Sequence, residues 1–470
     1  MTPDDGRGRW VALIVCSSAM FMTLLDVSVT NVALPSISNA THAGNSELQW
    51  IVSGYTLAFG LVPVLGGKLG DDHGRRVMFQ VGVGGFATAS LLSGLAPTAL
   101  VLIGARVIQG LFGGLINPQV SGLVQQMFRG AERGRAFGVL GTTVGLGTAI
   151  GPVVGGLLIA LGGPHLGWRL VFYINIPIGL AVMVLARRLL PAPTESIRHR
   201  LDIVGAALLG GATFCILFAC VEYDALHDAR LAWLGVPALV LFVLFYRRER
   251  RMTDERREPL VDFRLFRRPS YVAGITLALT FFPAMAGLPL VLAIYYQRGL
   301  GYTALQSALG VTAFAVGSAI SAPLAGRVVT RVGRPLVVGG AITFGIGAVA
   351  LALIAPHAPN HAALALAVPL FVMGCGQGAL ITPNQTLALM DVDPLMGSTA
   401  GGVLQTGQRI GLAIGQAVIG TVFFNSLRGT GPEAYATALR HAVVAAICFI
   451  TLAVAIGVHD LLRARRRTLV

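Results

Sequence analysis

The segment GTAIGPVVGG (147–156) returns as GLAIGQAVIG (411–420), with six of ten residues identical at an offset of 264. Two more segments repeat in the same order. GGLINPQ (113–119) aligns with GALITPN (378–384) at offset 265, and GKLGDDHGRR (67–76) aligns more loosely with GRVVTRVGRP (326–335) at offset 259. A single match is unremarkable in a chain of 470 residues with 60 glycines, but three in the same order are harder to dismiss. They describe a parallel internal repeat. Two related halves in one polypeptide are the plan of a secondary transporter, with its site between the halves near the membrane midplane. A channel or a receptor has no such need.

The surrounding sequence places the repeat in a membrane. Charged residues are 12% and apolar residues 54% of the chain, against about 25% charged in an ordinary soluble domain. A bilayer core of about 30 Å needs about 20 mostly apolar residues per helix. Fourteen such runs occur, at roughly 10–34, 47–69, 77–96, 99–127, 134–161, 170–190, 202–221, 231–248, 270–295, 305–328, 335–354, 362–390, 399–424 and 440–463. The repeat then maps the loop after span 2, span 4 and span 5 onto the loop after span 10, span 12 and span 13. The expected fold is all-α: a six-span bundle over 1–200, an inserted two-span hairpin over 201–249, a basic linker over 250–269, and a second six-span bundle with a basic tail over 270–470.

The net charge of +14 comes almost wholly from arginine, since Lys68 is the single lysine. The basic residues fall in clusters between apolar runs, which follows the positive-inside rule and not a nucleic-acid surface. With the N-terminus inside, 28 of the 35 basic residues lie in cytoplasmic segments and only Arg169, Arg230, Arg298, Arg428 and Arg440 lie outside. Both termini are therefore expected in the cytoplasm. Arginine in place of lysine, with much alanine and glycine, reads as the codon usage of a GC-rich bacterium, so the membrane is expected to be the inner (plasma) membrane. The five cysteines all sit in apolar runs and form neither a disulfide framework nor a metal-ligand spacing. No metal or cofactor is expected.

At this point the chain resembles the major facilitator superfamily, and within it the 14-span drug–proton antiporter branch. Gly67, Asp71, Gly74, Arg75 and Arg76 fall on the positions of that superfamily's loop motif between spans 2 and 3, while Asp72 stands where a basic residue is usual. LDVSVTNVALP (25–35), RVIQG (106–110) with Pro118, WRLVFYINIPIG (168–179) and LDIVGAALL (201–209) are similar to further landmarks. Gly138, Gly147, Gly151, Pro152, Gly155 and Gly156 match the fixed positions of the span 5 antiporter motif. The resemblance implies alternating access, energy from a proton gradient, and a role in proton coupling for Arg106.

Three charges lie well inside spans: Asp26, Arg106 and Arg409. Each costs at least about 2.5–3.5 kcal/mol at the bilayer centre unless it meets a partner or a watery cavity. Asp26 reads as a carboxylate alternating between proton and substrate, or as half of a fixed ion pair holding two helices. Arg106 has Gln109 one turn along the same face, and either couples to protons or binds backbone carbonyls. Arg409 reads as an ion pair or a lumen-facing anchor. The glycines at 147, 151 and 155 recur on one helix face and invite close helix approach, while Pro152 bends the helix; both suit simple packing as well as gating. Around Asp71, an acid beside a helix N-terminus with Arg75 or Arg76 across the face would bias two rocking states. Asn31, Tyr55, Gln109, Asn117, Phe281, Tyr295, Asn384 and Gln405 join Arg409 as candidates to line the cavity. Aromatic surface plus one acid would suit amphipathic, often cationic organic molecules.

The leading expectation is a proton-coupled exporter of small amphipathic organic compounds, acting as a monomer, with a metabolite uniporter or importer, a lipid translocase and a non-transporting sensor as alternatives. An ATP-driven pump is excluded, because Lys68 is followed by Leu69 and no phosphate loop ending GK[ST] exists. No HExxH occurs, and nothing else in the chain reads as an enzyme.

Overall fold

The computed structural model describes residues 6–192, 202–226, 229–255, 259–357, 362–429 and 431–468. The expected boundary at 200/201 and the basic residues Arg198, Arg200, Arg256 and Arg257 lie outside these. Among the described residues the chain is helical, with no strand. The first seven helices are α1 (Gly6–Thr41), α2 (Asn45–Leu61), α3 (Pro63–His73), α4 (Arg75–Leu95), α5 (Ala99–Met127), α6 (Gly130–Tyr173) and α7 (Asn175–Leu189). Next come α8 (Ile203–Leu226) and α9 (Gly235–Asp254). The rest are α10 (Pro269–Ile294), α11 (Ala304–Gly310), α12 (Thr312–Val332), α13 (Arg334–Ile354), α14 (Ala362–Ala365), α15 (Ala367–Ala388), α16 (Gly397–Ser426) and α17 (Pro432–Thr468).

The apolar runs read from the sequence all fall on helix. Among the described residues, ten helices are long and apolar enough to cross a membrane, or twelve when two bent pairs each count as one span. That is fewer than the fourteen expected. The two further long helices are α9, whose last turns carry Arg247, Arg248, Glu249, Arg250 and Arg251, and α16, which carries Gln405, Gln408, Arg409 and Gln416. These polar residues keep both below the apolarity of the rest. One bent pair is α2 with α3, which meet at 46° where Pro63 opens a new helix. The other lies within α6, bent by 43° between Gly130–Gly147 and Ile150–Gly163. Pro152 sits one turn past that bend and lacks the N–H that would close the ladder across it.

Buried apolar side chains form two large clusters. One draws chiefly on α1, α2 and α4–α7, between Ala12 and Leu190, and the other on α10–α17, between Leu277 and Ala453. The outer faces of these helices and of α8 and α9 carry exposed apolar side chains, including Leu100, Leu161, Ile203, Leu239, Leu364 and Val368. Such a surface is stable in lipid and not in water. A seam separates the two sets: α6 packs on α12, and α16 packs on α3 and α5. The end of the seam holding the α3–α4 turn is here termed the basic end. That turn rests on Gly74 (φ 96°), and the α12–α13 turn likewise rests on Gly333 (φ 68°). Both values favour glycine.

The α8–α9 hairpin is not a loose appendage. Leu217 of α8 reaches Gly60 of α2 and shares a small apolar cluster with Leu57 and with Ala413 of α16, so α8 touches both sets. At the hairpin's base Arg248 Nη2 pairs with Asp202 at 2.7 Å. Glu249, just past the apolar run, is fully buried and accepts the Val261 N–H at 3.0 Å. Leu260 and Val261 are thereby packed against Val64 of α3 and Val403 of α16, across the seam. Burial pushes the Glu249 carboxyl up to about 7.

Candidate functional site

Asp26 and Arg106 meet. Arg106 Nη1 lies 2.5 Å from Asp26 Oδ2, and both residues are sealed from solvent. Gln109 Nε2 donates to Asp26 Oδ1 at 2.9 Å, and Asn175 Nδ2 donates to the same oxygen at 2.8 Å. Arg106 also donates to Gln109 Oε1 at 2.7 Å and to the Ile51 carbonyl at 3.3 Å. Asn175 opens α7 and reaches Ser90 of α4 at 2.9 Å. One carboxylate thus ties α1, α5 and α7 together. Removing one partner from such a buried pair costs about 3–5 kcal/mol.

The same turn of α1 faces α6 on another side. A methyl group at Gly151 would stand 2.2 Å from Ser28 Oγ, one at Gly147 would stand 3.0 Å from Leu24 Cβ, and one at Gly155 would stand 3.2 Å from Val29 Cα. Leu24, Ser28 and Val29 bracket Asp26. Gly156 differs, since nothing lies within 4 Å of where its side chain would be. The first half of α6 serves the seam instead: Gly134 and Gly326 of α12 are so close that a methyl on either would strike the other's carbonyl. One helix therefore touches both the buried acid's neighbours and the opposite set.

The basic end of the seam is closed. Asp71 Oδ2 accepts the Thr399 N–H and hydroxyl, each at 2.8 Å, and Oδ1 accepts the Ser398 N–H at 3.1 Å. Its carboxylate thus caps the N-terminus of α16, where negative charge is favoured. Arg75 braces it at 2.8 Å, donates to the Gly122 carbonyl at 2.8 Å and reaches the Pro394 carbonyl across the seam. Gly67 lies against the Ser398 carbonyl and Gly402 against the Pro63 carbonyl, with no room for a side chain at either. Arg76 turns away and donates to the Leu190 and Arg187 carbonyls at the end of α7. Asp72 pairs with Lys68 at 2.9 Å within α3.

A family model described as Major Facilitator Superfamily matches residues 16–416. The chain belongs to this superfamily. It is 38% identical over 445 residues to the probable actinorhodin transporter of Streptomyces coelicolor, covering 91% of this chain and 77% of that one. It is 32% identical over 445 residues to the tetracenomycin C resistance and export protein of Streptomyces glaucescens, covering 93% and 80%. The fold is also that of the human organic anion transporter MFSD10 (TETRAN), with TM-score 0.66 and 93% and 98% coverage; at 15% identity this speaks to fold alone. The protein is thus a multi-pass membrane transporter of the superfamily and not an enzyme.

In this superfamily member the remaining sequence candidates scatter. Tyr55 and Phe59 stand one turn apart on α2, with ring centroids 5.8 Å apart. Arg106 lies 4.3 Å over the Tyr55 ring, and Arg409 of α16 lies 4.2 Å over the Phe59 ring. The two rings link the buried acid's partner to the opposite set. Gln405 donates to Ser121 at 3.2 Å across the seam, and the Asn117 Oδ1 is buried without a partner. Asn384 instead donates to the Gly274 carbonyl at 3.0 Å, joining α15 to α10. Phe281 is buried edge-to-face on Phe344, and the Tyr295 hydroxyl donates to the Ala355 carbonyl at 3.1 Å, so both serve the second core. Asn31 is exposed. Sequence reasoning missed Asn175 and Ser90. The signal was present in INIP (174–177), where an amide starts a helix inside an apolar run.

Proposed function

We propose that the protein is a proton-coupled exporter of small amphipathic organic compounds working by alternating access, with fourteen spans and both termini in the cytoplasm of a bacterium. In this reading two six-span bundles, 1–200 and 270–470, rock about the seam, the 201–249 hairpin and 250–269 linker join them, and one chain is the working unit. The similar proteins named for actinorhodin transport and for tetracenomycin C resistance and export support the export direction. The positive-inside bias makes the basic end cytoplasmic, so the closed seam there corresponds to a state facing outward.

The observation that carries proton coupling is the double role of the Asp26 turn. Its carboxylate is held by Arg106, Gln109 and Asn175, while Leu24, Ser28 and Val29 beside it pack on the α6 glycines. A proton taken from outside neutralises Asp26 and cancels the charge pair. The α1 turn is then free to shift on α6, and α6 transmits the shift to α12 through Gly134 and Gly326. A bound proton and a bound compound each bias the same two-state seam, which is what coupling requires.

The test uses purified protein in liposomes under an imposed pH gradient, with lumenal pH followed as organic compounds are added. Compound-dependent proton flux is expected, and Asp26→Asn should abolish it. Full flux in Asp26→Asn overturns the assignment of the coupling proton. Substrate exchange without any proton movement would favour a uniporter or a lipid translocase.

A further inference from the structure

Of the three charged side chains well inside the spans, two cancel. Asp26 and Arg106 form a neutral pair whose oxygens are already filled by Gln109 and Asn175. A cationic substrate therefore finds no free carboxylate there. Arg409 is the third, and no carboxylate lies within ion-pair distance of it among the described residues. Its guanidinium stands over Phe59 at the crossing of α16 and α2, between the two sets, and the residue as a whole is half-buried. A lone cation at membrane depth is rare and marks a ligand or ion path. Two buried polar atoms nearby also lack partners. The Tyr55 hydroxyl, on a ring whose centroid is 5.8 Å from that of Phe59, is buried and makes no hydrogen bond. Gln405 Oε1, one helical turn before Arg409, makes none either.

We propose that Arg409, Tyr55 and Phe59 form a recognition site for anionic aromatic compounds: Arg409 and the Tyr55 hydroxyl bind a carboxylate or phenolate, and Phe59 lies against the ring. The proposal rests on the transport reading and names its substrate class. An acidic group receives a charge-assisted bond from the fork of the guanidinium and a second from the phenol, both of which shorten and strengthen against an anion. This is opposite in charge to the cationic preference that one intramembrane acid implies, and the difference follows from Asp26 being sealed.

Two fluorescent probes share one flat ring and differ in charge: anthracene-9-carboxylate and anthracen-9-ylmethylammonium. Their binding to the full chain in zwitterionic nanodiscs is read by anisotropy against empty discs, without a proton gradient, so a failure of proton coupling leaves this result standing. The carboxylate is expected to bind about tenfold tighter than the ammonium, the size of one charge-assisted contact. Arg409→Gln should weaken the carboxylate by about that factor and leave the ammonium undiminished. Arg409→Lys should keep the preference for the anion, because it keeps the charge. Ammonium binding equal to or tighter than carboxylate binding overturns the proposal. Unchanged carboxylate binding in Arg409→Gln does so as well.

Discussion

Replacing Asp71 by Asn should open the basic end of the seam. The carboxylate accepts three bonds from Ser398 and Thr399 across the seam and is 7% exposed. An amide keeps one acceptor oxygen but presents N–H groups to the Thr399 donors, so two of those bonds are lost together with the charge. A bond to a charged group contributes about 1.5–3 kcal/mol. Charge at a helix N-terminus adds about 0.3–1 kcal/mol. Taking the lower end of each, closure loses roughly 3–4 kcal/mol, or between two and three powers of ten in the closed-to-open ratio. Spin labels on cysteines at His73 and Leu395, both exposed, read the separation across the seam by dipolar spectroscopy. The five native cysteines are replaced by serine beforehand. The expected result is a new long-distance population in Asp71→Asn that Asp71→Glu largely lacks. An unchanged distance distribution would refute the reasoning, because closure would then not depend on the capped helix.

The α1–α6 contact makes a second prediction. Gly151→Ala places a methyl 2.2 Å from Ser28 Oγ and should cost about 1–3 kcal/mol of overpacking; it is read as a lower thermal midpoint that Ser28→Gly restores, while Gly156→Ala leaves the midpoint unchanged. Glu249 supplies a pH dependence. Its folded value of about 7 lies above the ordinary 4.5, so its contribution to docking the linker is intact below 4.5 and is lost as pH rises through about 7. Maleimide labelling of Leu260→Cys, normalised to the exposed Arg264→Cys, should accelerate over that window, and Glu249→Gln should flatten the profile.

Much of the architecture is legible without coordinates because membrane helices must satisfy their backbones internally. The run 99–127 coincides with α5, and 270–295 differs from α10 by one residue at each end. The run 47–69 concealed a break, since Pro63 suits a helix start as well as an interior bend and apolarity does not distinguish them. At the site, helix periodicity puts Arg106 and Gln109 on one face but says nothing about which other helix they meet. That Asp26 is their partner depends on the packing of α1 against α5, which no local pattern encodes. Asn175 stands out locally as an amide opening a helix within an apolar run, but its partners exist only once three helices converge. Phe281 and Tyr295 carry the residue types of a cavity wall, yet buried aromatic rings serve a core equally well. Gly156 shows the limit of motif matching: it belongs to the same motif as Gly151 and Gly155 but lies off their helix face and meets open space.

The closed seam has a consequence for how this chain tolerates change. At Gly67, Gly402, Gly134 and Gly326 backbone meets backbone, with the site of any added methyl within 2.1–2.5 Å of a carbonyl oxygen on the opposing helix. Every codon change to another amino acid at these four positions pushes the two sets apart, and none can draw them closer. Random substitution there acts as a ratchet toward the state open at the basic end. A selection for altered conformational balance would find many routes in that direction within the seam. In the other direction it must strengthen contacts such as those of Asp71 and Arg75.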